Sequence, residues 1–207
     1  MQYLSQRGTL RESPLPYFSK TIFLILCSLI ATGCAVNIPL YQKGKLNDSK
    51  KFIIANVPFI AQKDDYCGPA SLAMIFNFWR IDITQDEIAR EVYSPELKGT
   101  LSIEMVLYAI KNGFEVEMYN GGIEDLKNRI KAGFPLIVSH RTDKENKRVH
   151  YLVAWGFNDN KGVIYVHSGV RENLSMDYQT FLKYWEQAEN LTFFIHPKDK
   201  VYVNTNN

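Results

Sequence analysis

At 207 residues, with 46% hydrophobic and 22% charged side chains, the chain can bury one substantial core and has ordinary globular composition. Its formal net charge is +2, and Arg7, Arg11 and Lys20 against the single Glu12 account for the excess ahead of position 34. The rest is charge-balanced and lacks the basic footprint that nucleic acid binding requires, so nucleic acid is set aside as a partner.

The first segment reads as an export signal. Its basic residues lead into the apolar run Thr21 to Ile30, too short to span a bilayer comfortably, and then into Ala31-Thr32-Gly33-Cys34. A short membrane anchor or a buried helix are the plain alternatives. Small residues ending in Gly-Cys resemble the lipobox of bacterial lipoproteins, although Ala31 stands where leucine is stronger. The resemblance implies that residues 1–33 are removed and that Cys34 becomes the lipidated first residue. The mature protein would then be membrane-held in the cell envelope. With Ala35 rather than aspartate after the cysteine, it also implies the outer membrane, facing the periplasm, in a cell with two membranes. Cys27 would leave with the signal and Cys34 would carry lipid. Cys67 is then a lone cysteine in a compartment that favours disulfides, either a buried bystander or a working thiol. Residues 34–51 are polar and read as a tether, 52–200 as one domain and 201–207 as a tail.

In chain order, periodicity and capping signals predict helices over 68–79, 85–93 and 102–111, a strand over 114–119 and a helix over 123–132. Strands over 135–140, 149–157 and 163–167 follow, then a helix over 178–188 and a strand over 191–196. Leu72, Ile75, Phe76 and Trp79 fall at helical spacing, and Thr84-Gln85-Asp86-Glu87 is a capping box. Gly121-Gly122 is read as a strand-to-helix turn. Helices first and a strand meander later predict an α+β fold, with N-terminal helices packed on a C-terminal antiparallel sheet.

Cys67 lies in Gln62-Lys63-Asp64-Asp65-Tyr66-Cys67-Gly68-Pro69-Ala70-Ser71. Gly68-Pro69 suits a helix start, which puts the sulfur among unpaired amides that favour thiolate. The competing reading is a small apolar residue turned into the core. Gln62 gains meaning only beside Cys67, where its amide could stabilise a tetrahedral intermediate. Among His140, His150, His167 and His196, the candidate base is His150. It opens Val149-His150-Tyr151-Leu152-Val153-Ala154-Trp155, a strand whose alternate residues face opposite ways. His140 and His196 read as strand-end residues, and no zinc-ligand spacing is present, so neither metal nor cofactor is expected.

Val57-Pro58-Phe59, Gln62, Cys67-Gly68-Pro69-Ala70-Ser71-Leu72-Ala73-Met74 and His150-Tyr151-Leu152-Val153-Ala154-Trp155-Gly156-Phe157 together resemble the bacteriocin-processing family of papain-like cysteine peptidases. The similarity runs from about position 57 to 197. Ser168-Gly169 with Phe181 and Trp185 resembles a lipoprotein branch of that family. The resemblance implies a papain-like fold, a peptide or protein substrate, Cys67 as nucleophile, His150 as general base and Gln62 as oxyanion donor. It also marks a departure. Ser168 stands where the family has an aspartate, and Gly169 where it has proline, which implies a Cys-His dyad oriented by a neutral hydroxyl. A non-catalytic peptide-binding module of the same fold, and a cell-wall amidase or acyltransferase using the same dyad, are the alternatives.

Overall fold

The computed structural model describes residues 50–142 and 148–202, so the expected signal, the lipidation candidate Cys34 and all but the end of the tether lie outside the described residues. The described chain begins with β1 (Lys51–Ile53) and reaches α1 (Cys67–Phe78) after a loop. Pro69 takes the first turn of α1, where its missing N–H costs nothing, and residues 68–76 are buried throughout. Helix α2 (Gln85–Val92) starts on the expected capping box. The Glu87 amide donates to Thr84 Oγ1 at 3.2 Å, and the Thr84 amide donates to Glu87 Oε2 at 2.8 Å. Two short strands, β2 (Tyr93–Ser94) and β3 (Gly99–Thr100), form a ribbon before α3 (Ser102–Lys111).

The remaining elements build the sheet. They are β4 (Phe114–Asn120), α4 (Ile123–Lys131), β5 (Leu136–His140), β6 (His150–Asn158), β7 (Val163–Ser168), β8 (Arg171–Asp177), α5 (Tyr178–Glu186) and β9 (Leu191–Pro197). The strand order is β4-β9-β5-β6-β7-β8, antiparallel throughout, and β1 pairs with β6 beyond the end of β5. Alternation along β6 sends Tyr151 and Val153 to one face and Leu152 and Ala154 to the other. The first face packs on α1, α2 and α3 through Leu72, Phe76, Ile88 and Met105. The second packs on α4 and α5 through Leu126, Ile130, Phe181 and Trp185. Full burial of side chains of this size stabilises by roughly 1.5–3 kcal/mol each.

The α+β expectation therefore holds, with helices on both faces of the sheet. Three features were not foreseen. Strand β1 starts at Lys51, inside the expected tether. The β2–β3 ribbon interrupts the run from α2 to α3. Strand β8 is a polar edge strand in which only Leu174 and Met176 pack inward. Tyr202, in the expected tail, stacks edge-on against Phe134 and Phe194.

Gly156 is what lets β1 approach β6. A Cβ there would lie 2.9 Å from the Phe52 carbonyl oxygen and 2.9 Å from Ile53 Cδ1. Gly156→Ala is expected to destabilise the domain by about 1–3 kcal/mol, read as a lower denaturation midpoint. An unchanged midpoint would mean that β1 can shift without cost.

Candidate active site

The side chains singled out by the sequence within the described residues gather at the start of β6. Cys67 is the first residue of α1, and the preceding Tyr66 makes no side-chain cap. The first-turn amides are therefore free for other partners. Pro69 has none to offer, while the amides of Tyr151 in β6, of Gly68 and of Cys67 each favour a thiolate at Cys67. The sulfur thus lies near the residue that follows His150.

His150 is the first residue of β6, where the sheet ends and a ring can turn across its edge. Its Nε2 lies 3.0 Å from Oγ of Ser168, the last residue of β7. With Nε2 so engaged, Nδ1 is the ring nitrogen that makes no hydrogen bond among the described residues. Gln62 enters through its backbone. Its N–H donates to the Gly169 carbonyl at 3.1 Å. Gly169 has φ +63°, and Ser168 pairs with Arg171 across a two-residue turn. Positive φ confined to the first loop residue is the pattern of a type II′ hairpin, which proline cannot enter. A proline in place of Gly169 could not make this turn, and the turn holds the Gln62 backbone.

Gln62, Cys67 and His150 line one cleft of about 390 Å³. The wall opposite comes from the β2–β3 ribbon and the start of α3, through Leu97, Thr100 and Leu101. The ribbon lies close because residue 68 is glycine. A Cβ there would sit 2.9 Å from Thr100 Cβ. At the mouth, Arg148 Nη1 lies 3.7 Å from Asp65 Oδ1. Sequence reasoning missed this wall. Ser94-Pro95 and Lys98-Gly99 carry turn chemistry, but strands of two residues leave no alternation to detect.

Electrostatics correct one expectation. Burial pushes the Cys67 thiol up, and the amides of Tyr151, Gly68 and Cys67 offset this only in part, while Asp65 adds to the rise. Burial thus works against the thiolate that the helix start favours. Burial also holds His150 below the ordinary imidazole range. Both shifts favour a neutral thiol beside a neutral imidazole. His140, directly opposite His150 in the β5–β6 register, is buried and pushed down to about 3, by burial first and by His150 second. It stays neutral and does not oppose charge on His150. His196 is the penultimate residue of β9, at the strand terminus expected. Among the described residues no cluster of three or more His, Cys, Asp or Glu is placed to hold a metal ion.

An antiparallel sheet with helices on both faces, a cysteine at a helix start and a histidine at a strand start defines the papain-like cysteine peptidase fold. The sequence profile of the Peptidase C39-like family matches residues 54–193, and the chain belongs to that family. Among solved structures, the peptidase domain of Streptococcus ComA, a bifunctional ABC transporter involved in a quorum sensing pathway, aligns with a TM-score of 0.58 at 21% identity. That alignment covers 69% of this chain and 99% of that one. A C39-like peptidase from Bacillus anthracis aligns with a TM-score of 0.60 at 18% identity, over 72% of this chain and 99% of that one. A double-glycine-motif protease from an AMS/PCAT transporter, solved with its leader peptide, aligns with a TM-score of 0.56 at 20% identity, over 70% and 94%. At these identities the likeness is one of fold. No curated protein matches the chain.

The protonation states carry a direct prediction. Alkylation of Cys67 by iodoacetamide should rise with pH through a single titration above the ordinary thiol value of roughly 8.5, and His150→Ala should leave that curve in place. A rate plateau between about pH 5 and 8 that vanishes in His150→Ala would show a resting ion pair instead.

Proposed function

We propose that this protein is a cysteine peptidase of the cell envelope that cleaves peptide bonds through a Cys67–His150 dyad. The observation that carries this reading is the juxtaposition in one cleft of Cys67 at the α1 start, Gln62 beside it, and His150 hydrogen-bonded to Ser168. Because the resting pair is neutral, the thiolate forms during attack. The Cys67 proton passes to His150 Nδ1 as the sulfur bonds to the substrate carbonyl carbon. The carbonyl oxygen becomes an oxyanion, held by the Gln62 side-chain amide and the Cys67 N–H. Collapse breaks the C–N bond, and the imidazolium gives its proton to the leaving amine, which leaves a thioester on Cys67. Water then attacks the thioester, His150 takes the water's proton, and the carboxylic product departs as the proton returns to sulfur.

In this reading Ser168 accepts a hydrogen bond from Nε2–H, 3.0 Å away, and keeps the ring in the tautomer that leaves Nδ1 basic. A hydroxyl cannot offset imidazolium charge as a carboxylate does. Leu97 and Leu101, each about half exposed, give the opposite wall an apolar surface for peptide side chains. Lipid on Cys34 would hold the domain at the membrane, on the outer one facing the periplasm where there are two. This part of the reading rests on the sequence pattern alone. Cys34→Ser should move the protein from the membrane fraction to the soluble fraction. Wild type found wholly soluble, with a mature N-terminus elsewhere, would contradict it.

One observation favours a second reading, a peptide-binding module of the same fold: the upward shift of the Cys67 thiol. Turnover of a peptide substrate separates the two. Cys67→Ala should abolish it, and Gln62→Ala should lower kcat by about 10²–10³. Ser168→Ala loses one neutral hydrogen bond of about 0.5–1.5 kcal/mol, so activity should fall by roughly tenfold or less. Folded Ser168→Ala as inactive as Cys67→Ala would contradict the dyad, and wild type that binds peptide without turnover would support the module.

A further inference from the structure

His167 immediately precedes Ser168 in β7 and commits both ring nitrogens to backbone. Nε2 lies 3.2 Å from the Val57 carbonyl oxygen, and Nδ1 accepts from the Asn173 amide at 3.2 Å. A carbonyl only accepts and an amide only donates, so the neutral ring with its proton on Nε2 satisfies both at once. His167 is 2% exposed, and its ring lies against Phe59 and Trp155 at centroid distances of 5.4 and 5.3 Å. Burial keeps it below the ordinary imidazole range, against smaller upward pulls from the Val57 carbonyl and Glu172.

The backbone around His167 is shaped to receive it. Val166 pairs with Leu174 and Ser168 with Arg171, so two residues of β8, Glu172 and Asn173, stand opposite His167 alone. Asn173 has φ +53°, a conformation side-chain-bearing residues rarely adopt. A bulge of this kind re-aims a group, and here it turns the Asn173 amide onto the ring. On the other side, Val57 belongs to the segment that leads to Gln62. His167 therefore joins that segment to the hairpin carrying Ser168 at one point, and the Gln62 amide bond to Gly169 joins them at a second.

We propose that His167 is a positioning residue, a clamp that sets where the oxyanion donor Gln62 sits relative to the Ser168–His150 pair. Its catalytic consequence rests on the peptidase reading, and the clamp itself does not. An oxyanion donor acts only within hydrogen-bond reach of the developing charge, and misplacement of about 1 Å costs orders of magnitude in rate. The dipeptide Ser168-Gly169 thus belongs to a longer unit, His167 to Asn173, whose turn and bulge both hold the Val57 to Gln62 segment.

The test combines amide hydrogen exchange with kinetics on the full chain. His167→Phe keeps a ring and loses both bonds. His167→Gln keeps a donor that can reach Val57, and His167→Asn keeps an acceptor for Asn173. In His167→Phe the Gln62 amide should exchange about tenfold faster or more, while the Leu152 and Val153 amides in central β6 stay protected. Over the same series kcat should fall about tenfold or more with KM little changed, and His167→Gln should recover part of both effects. Iodoacetamide labelling of Cys67, which needs no oxyanion donor, should stay within about twofold of wild type. Unchanged Gln62 exchange in all three variants would overturn the clamp, as would exchange that rises equally at Leu152 and Val153. Faster Gln62 exchange with unaltered kcat would overturn its catalytic role. Wild type without turnover, but with the Gln62 exchange response intact, would defeat the peptidase reading while supporting the clamp.

Discussion

Among the influences that favour a thiolate at Cys67 the Tyr151 backbone amide is the largest, and that proximity joins the two halves of the cleft. One partner is the first residue of a helix buried on nearly every side, the other the second residue of a central strand. Neither can move alone. Leu72, Ile75 and Phe76 fix α1 in the core that also contains Tyr151 and Val153, so core packing sets the position of the thiol relative to His150. Gly68 and Gly156 are small where this arrangement needs room, for the β2–β3 ribbon in one case and for β1 in the other.

The same burial that fixes the sulfur also sets its chemistry. A helix start supplies amides that stabilise a thiolate, and a dry pocket penalises the charge. Here burial is the larger effect for Cys67, and it works in the same direction, toward neutrality, for His150 and His140. A neutral dyad needs less from its third member than an ion pair does. A serine hydroxyl that orients the ring at 3.0 Å is chemically consistent with this state, whereas a carboxylate in the same place would favour the imidazolium. The Ser168-Gly169 turn and the neutral pair thus fit one another.

Much of this was legible in the sequence, and what escaped it did so for physical reasons. The long helices announced themselves by period and caps, as with Thr84 and Glu87, and Cys67, His150 and Gln62, grouped by the family resemblance, line one cleft. Strand β8 was hidden because Arg171–Asp177 is a polar edge strand with little alternation. Strand β1 was hidden because its three residues are stabilised by pairing with β6 and by a glycine on the partner. The direction of the Cys67 shift was misjudged because a helix start is a local feature, while desolvation depends on what packs around it. His167 drew no attention because its partners, Val57 and Asn173, come together only when β7, β8 and the segment before α1 are in place.

The central claim is that Cys67 forms a covalent bond to the acyl half of a peptide. Acid quenching of the protein during reaction with an activated peptide ester, followed by intact mass measurement and mapping of the modified residue, tests this directly. The account predicts a mass gain equal to the acyl group, carried as a hydroxylamine-labile thioester on Cys67, absent in Cys67→Ala and strongly reduced in His150→Ala. Peptide binding by folded wild type with no acyl group on Cys67 at any time of quenching would contradict it.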